Sequence, residues 1–193
     1  MKNNYSLYYS YPTLGDVLIV IFDNESKPTS HERKGNVEVI YNKEDIIGYN
    51  IFNIQNIIKI RSQGLIYLPS PTLVEVINSI LINAKLEPLG IKEESGYVIA
   101  EVKDIKDLED NKKLVSLNIG KEVVQAYIKN KDLKSNQKVV VAKANTRLNT
   151  GALVKEGHIC SEKELSVSEL DEILILEDDE EVGNDFFMME EKK

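Results

Sequence analysis

The chain has one cysteine, Cys160, two histidines and no tryptophan in 193 residues. A single thiol excludes an intramolecular disulfide and any cysteine-rich metal site. No apolar run approaches the roughly 20 residues that span a bilayer as a helix. Met1-Lys2-Asn3-Asn4-Tyr5 has no cationic stretch leading into an apolar core, which predicts no signal peptide. A cytoplasmic protein with no membrane partner is the expectation. Catalytic patterns are missing as well: there is no phosphate-cradling glycine loop, no paired-carboxylate motif and no H-E-x-x-H. This predicts a non-enzyme with no catalytic residue and no cofactor. His31 and His158 lie far apart with no third ligand at metal spacing, which predicts no zinc site. His158 reads as a half-buried strand residue. Cys160, with no base adjoining it in a recognisable constellation, reads as a small core residue. Asp178–Glu181 lacks the residue spacing of a calcium loop.

What is present is ordinary for a globular chain, 42% hydrophobic and 29% charged. The net charge of −8 is unevenly spread. Residues 1–94 carry 9 Lys/Arg and 11 Asp/Glu, residues 95–160 carry 12 and 8, and residues 161–193 carry 3 and 13. The acidity belongs to the tail, and the mildly basic middle is compatible with a phosphate-bearing partner.

Local signals divide the chain further. Asp16–Phe22 is nearly continuously apolar, as a strand buried on both faces would be. Asp23–Gly35 reads as a polar loop, Val37–Tyr41 as a second strand and Ile46–Ile54 as its hairpin partner. Ser70-Pro71 supplies an N-cap and a first helical residue. Leu73, Val74, Ile77, Ile80, Leu81 and Ala84 follow at helical spacing, with Pro88 as the stop. Residues 85–95, marked by Pro88 and Gly90, form the best boundary. Beyond it come strands at Tyr97–Lys103, Val115–Ile119, Val123–Ile128, Lys138–Ala144 and His158–Ser161, with the long interruption expected between the third and fourth. Five such strands in about 65 residues fit a small Greek-key barrel, though periodicity alone does not separate one small barrel from another. Ser161-x-x-Glu164 has the form of a capping box, and Glu172–Glu177 reads as one more short strand.

Three pieces of this sequence resemble the YtpR family, whose second half is an OB domain shared with the bacterial phenylalanyl-tRNA synthetase β chain. They are Gly48-Tyr49-Asn50-Ile51-Phe52-Asn53, Gln137-Lys138-Val139-Val140-Val141-Ala142-Lys143 and Gly157-His158-Ile159-Cys160-Ser161. Their order and spacing run through nearly the whole chain. The resemblance implies a mainly β, α+β protein: a small N-terminal α/β domain at 1–88 and a five-stranded OB-fold barrel at 89–177. It also implies a translation-associated tRNA-binding role. The mutually repelling carboxylates of 178–193 predict an acidic, mobile tail there. The sequence departs from the family at Leu108–Leu114, where only Lys113 and Leu114 match. It departs again at Ile128–Asp132, and at Lys155-Glu156, which runs into Gly157 without the family's long loop.

An OB-fold that binds nucleic acid combines a basic groove with stacking aromatics. The candidate RNA-binding residues are therefore Lys112, Lys113, Tyr127, Lys129, Lys131, Lys138, Lys143 and Arg147, with tRNA or another structured RNA as partner. Tyr127 is the one aromatic between Tyr97 and Phe186. Phosphate contacts must then supply most of the affinity. The alternative is a protein-interaction module whose barrel has lost its RNA surface. Oligomeric state is left open by the sequence.

Overall fold

A computed structural model describes residues 1–190 of the chain. The fold is mainly β with one clear helix, and it divides into two compact units, Met1–Glu93 and Glu94–Lys193.

In the first unit, β1 (Ser6–Tyr9), β2 (Val17–Ile21), β3 (Ser30–Lys34), β4 (Val37–Asn42), β5 (Asp45–Phe52) and β6 (Gly64–Ile66) form one antiparallel sheet. Its order is β3-β4-β5-β2-β1-β6. A one-turn helix, α1 (Tyr11–Leu14), links β1 to β2, and the long helix α2 spans Pro71–Asn83. Ser70 caps α2 as its spacing predicts, its hydroxyl accepting from the Leu73 amide at 3.3 Å. The helix ends before Pro88 is reached: Lys85 takes a left-handed φ of 59°, and the Leu86 amide turns back to the Leu81 carbonyl. The apolar face of α2 (Leu73, Val74, Ile77, Leu81) joins Leu7, Tyr9, Leu18, Val20, Val39, Tyr49 and Ile51 of the sheet in one core.

Only one face of this sheet carries a helix, and that corrects the expectation for Asp16–Phe22. Leu18 and Val20 are fully buried, whereas Val17, Ile19 and Ile21 are half covered. The polar stretch 23–35 is likewise not all loop, because Ser30–Lys34 pairs with β4 as an outer strand exposed along most of its length. Charged residues at a sheet edge discourage pairing with other chains.

Gly48 lies opposite Ile21 in β5, where a Cβ would sit 2.7 Å from the Val20 carbonyl oxygen. Gly48→Ala must push the two central strands apart. It should lower unit stability by about 1–3 kcal/mol, read as a fall in midpoint on thermal unfolding.

The second unit is a five-stranded OB-type barrel. β7 (Tyr97–Asp107), β8 (Lys112–Asn118) and β9 (Val123–Lys129) make an antiparallel meander. β10 (Lys138–Ala142) returns to the other edge of β7, and β11 (His158–Ile159) pairs with β10. The order is thus β11-β10-β7-β8-β9. β7 serves both halves because a bulge between Val102 and Asp104 bends it. Gly157 closes the barrel: a Cβ there would stand 2.6 Å from the Gln125 carbonyl oxygen, so only glycine lets β11 come this close to β9. Val98, Ala100, Val102, Val115, Leu117, Ala126, Ile128, Val139, Val141 and Ile159 fill the interior. The longest interruption falls between the fourth and fifth strands, residues 143–157, not between the third and fourth. β12 (Ile175–Leu176) pairs with the start of β10.

Past β12 the chain does not simply leave the barrel. β8 covers β7 only from Glu101 onward. Residues 183–185 take up that edge where β8 stops: the Gly183 amide donates to the Ile99 carbonyl at 2.8 Å, and the Ile99 amide donates to Asn184 at 2.9 Å. Phe187, in the short helix α3 (Phe186–Glu190), stands edge-on to Tyr97 at 5.2 Å. The carboxylate run remains at the surface, with Asp178, Asp179 and Glu181 exposed. Residues 191–193 of the predicted tail lie outside the described residues.

Candidate nucleic-acid interface

Strand alternation builds the candidate face. Ala126 and Ile128 point into the barrel, so Val123, Gln125, Tyr127 and Lys129 of β9 point out. Directly paired residues of an antiparallel ladder share a face. The register therefore sets Lys112 beside Lys129, Leu114 beside Tyr127, Ser116 beside Gln125 and Asn118 beside Val123. Tyr127 is 61% exposed. Lys112 and Lys129 are exposed and make no ion pair among the described residues. The result is a ring open to solvent with two ammonium groups one row away.

Lys113 and Lys131 lie at the same end. Lys113 approaches Asp132 at 3.5 Å. Lys131 donates to the Asp171 carbonyl at 2.5 Å and lies 3.4 Å from its carboxylate. Both lysines line a cleft of about 390 Å³ together with Asp107, Asn111, Lys112 and Asn130. In OB-folds the face of the second and third strands, with the loop joining the first two, is where oligonucleotides bind. Here those elements are β8, β9 and residues 108–111.

The other three candidates are not part of this cluster. Lys138, at the start of β10, donates to the backbone carbonyls of Asp178 and Glu180. Lys143 pairs with Glu94 at 2.9 Å. Arg147 is buried, its Nη1 donating to the Gly151 carbonyl at 2.9 Å, so it ties a loop together. Lys106 is a residue the sequence does not single out. It is exposed and pairs with Leu114, which places it in the same row as Tyr127. Its signal is the outward phase of β7 beyond the bulge, which becomes visible once the register is known.

A second group forms where β11 runs into the following turn. The Ser161 amide and hydroxyl both contact Glu164 Oε2, at 2.9 and 3.2 Å, and the Glu164 amide returns to the Ser161 hydroxyl at 3.3 Å. This is the predicted capping box, on a turn rather than a helix. His158 Nε2 stands 3.0 Å from both Glu164 oxygens. Burial raises the Glu164 pKa, but the His158 and Ser161 hydrogen bonds outweigh it and leave the carboxyl below its ordinary value. Cys160 is fully buried, and burial pushes its thiol pKa up.

The family model for a domain of unknown function (DUF4479) matches residues 23–89, within the first unit. A Bacillus subtilis (strain 168) protein with the curated name "Putative tRNA-binding protein YtpR" is 31% identical to this chain, over 93% of it and 98% of the relative. The chain belongs to the YtpR family. The match runs nearly end to end, so the family covers both units, and the resemblance carried by Gly48–Asn53, Gln137–Lys143 and Gly157–Ser161 is borne out. No helix among the described residues is long and apolar enough to cross a membrane.

Proposed function

We propose that this YtpR-family chain is a non-catalytic, cytoplasmic accessory protein that binds tRNA through the outward face of the β8–β9 hairpin. The observation that carries the reading is the juxtaposition on that face of exposed Tyr127 with Lys112 and Lys129. It is supported by the name of the B. subtilis relative and by the strand order of the barrel. Tyr127 offers one base a stacking surface, worth about 1–3 kcal/mol. Lys112 and Lys129, with Lys113, Lys131 and Lys106 beside them, meet the backbone phosphates. Lys138, Lys143 and Arg147 hold the barrel and its loops. The two units act as separate domains in this reading, with the boundary at Glu93 rather than residue 88 because Leu89 packs in the first core. The exposed carboxylates within 178–181 repel RNA from the β10 side.

A titration with total tRNA across a salt series tests this. Log affinity should fall linearly with log salt, with a slope of about −0.7 to −0.9 for each phosphate neutralised. Absence of any binding at low salt, for both the wild type and a variant with exposed Asp178 and Asp179 changed to Asn, would transfer the face to a protein partner. The exposed apolar side chains of Val123 and Tyr127 on β9 would suit that second role.

A further inference from the structure

The capping turn after β11 brings together three metal-ligand types that no motif spacing announces. Ile159 packs in the barrel interior, and on either side of it stand His158, half-buried at the start of β11, and Cys160, fully buried just after it. The turn from Ser161 to Leu165 then folds Glu164 back over them, fixed by the capping box and by the Leu165 amide on the Ser161 carbonyl at 3.1 Å. The ligand atoms of His158, Cys160 and Glu164 all lie within 4.8 Å of one another. The sequence expectation of no zinc site rests on the separation of the two histidines and does not weigh this H-x-C-x3-E arrangement.

We propose that His158, Cys160 and Glu164 form a zinc site that locks the last barrel strand to the turn following it. Ligands at about 2.0–2.3 Å from a tetrahedral ion stand some 3–4 Å apart, so the three groups need only small side-chain rotations to converge. Nitrogen, thiolate and carboxylate together suit zinc better than magnesium or calcium, which take oxygen. Glu164 can keep its bonds to Ser161 through Oε2 while Oε1 meets the ion, because a carboxylate offers about four lone-pair sites. The Ser161 bonds then orient the ligand, as outer partners do in zinc sites. The His158 side chain is 37% exposed and that of Glu164 is 19% exposed, which leaves the fourth position to water. On binding, Cys160 loses its thiol proton to solvent, and the thiolate charge forms against the cation rather than in an apolar interior.

Untagged full-length protein titrated with Co2+ provides the test, because cobalt takes the zinc geometry and reports thiolate ligation as a charge-transfer band. One equivalent should produce that band together with tetrahedral visible absorption, and Zn2+ should displace it. Cys160→Ser should lose the band. His158→Met and Glu164→Gln should each weaken Co2+ binding at least about 10-fold, since changes in outer partners alone cost 10–100-fold. Zn2+ should also raise the melting temperature of the wild type and leave that of Cys160→Ser unchanged, a readout that holds even if a variant is less stable. The absence of a charge-transfer band in the wild type overturns the proposal. So does a band of unchanged affinity in both His158→Met and Glu164→Gln, which would mean a thiol binding alone.

Discussion

Reversing Lys112 and Lys129 together to glutamate should remove most of the tRNA affinity and leave the barrel folded. The two ammonium groups sit side by side on the outward face. Each neutralised phosphate contributes about 0.7–0.9 of a decade in affinity at 0.1 M salt relative to 1 M, so two contacts amount to about 1.5 decades. Reversal adds repulsion, so the loss should exceed about 30-fold at 0.1 M salt, and the log–log slope should become shallower by roughly 1.5. Surface substitutions of this kind stay within about 0.5 kcal/mol in stability. A matched change in net charge, Lys27→Glu with Lys43→Glu in the first unit, should cost far less if the effect is local. Equal losses in the two double variants would reduce the interaction to overall charge and sink the assignment of this face. Lys131 is a poorer target, because its contacts with Asp171 mean that Lys131→Glu would disturb the fold as well.

The contrast between Lys129 and Arg147 shows how far a sequence reads toward a site. In Val123–Lys129 only Gln125 and Lys129 are polar, and they share one phase with Tyr127. The outward side of Tyr127 is therefore legible through those two residues, although Val123 and Tyr127 are themselves apolar. Arg147 lies in a run with no period, and nothing in Asn145-Thr146-Arg147-Leu148 announces that its guanidinium turns inward to Gly151. Ser70-Pro71 and Ser161-x-x-Glu164 are legible because a cap is a local hydrogen bond between residues three apart. Ser30–Lys34 is illegible for the opposite reason: an outer strand with little burial has no apolar phase, and only its pairing with β4 defines it. Lys106 was hidden by the bulge at Val102/Asp104, which shifts the phase of β7 partway along its length.

The tail is where sequence and structure differ most, and Asp185 should prove to be its anchor. Seven carboxylates against two basic residues between 178 and 193 predict a mobile, self-repelling end. The chain nevertheless supplies an edge of β7 that β8 leaves open, and a tyrosine ring, Tyr97, that takes Phe187 edge-on. Asp185 joins the two. Its carboxylate accepts from the Ser95 amide at 2.6 Å and from the Ser95 hydroxyl at 2.8 Å, then from the Phe187 amide at 3.0 Å. Hydrogen bonds to a charged group contribute about 1.5–3 kcal/mol each. Asp185→Ala should therefore destabilise the second unit by at least about 3 kcal/mol, which for a unit of this size lowers its midpoint by more than about 10 °C. Asp185→Asn, which keeps one acceptor oxygen, should recover part of that. Neutralising exposed Asp178 and Asp179 should leave stability within about 0.5 kcal/mol while strengthening tRNA binding, because it removes negative charge and no paired contact of the β7 edge. The readout specific to this edge is amide exchange at Gly183 and Ile99, whose hydrogen bonds join the tail to β7. In Asp185→Ala both amides should exchange faster while those of β8 and β9 change less. Unchanged exchange at Ile99 together with an unchanged midpoint would mean that Asp185 does not anchor the segment.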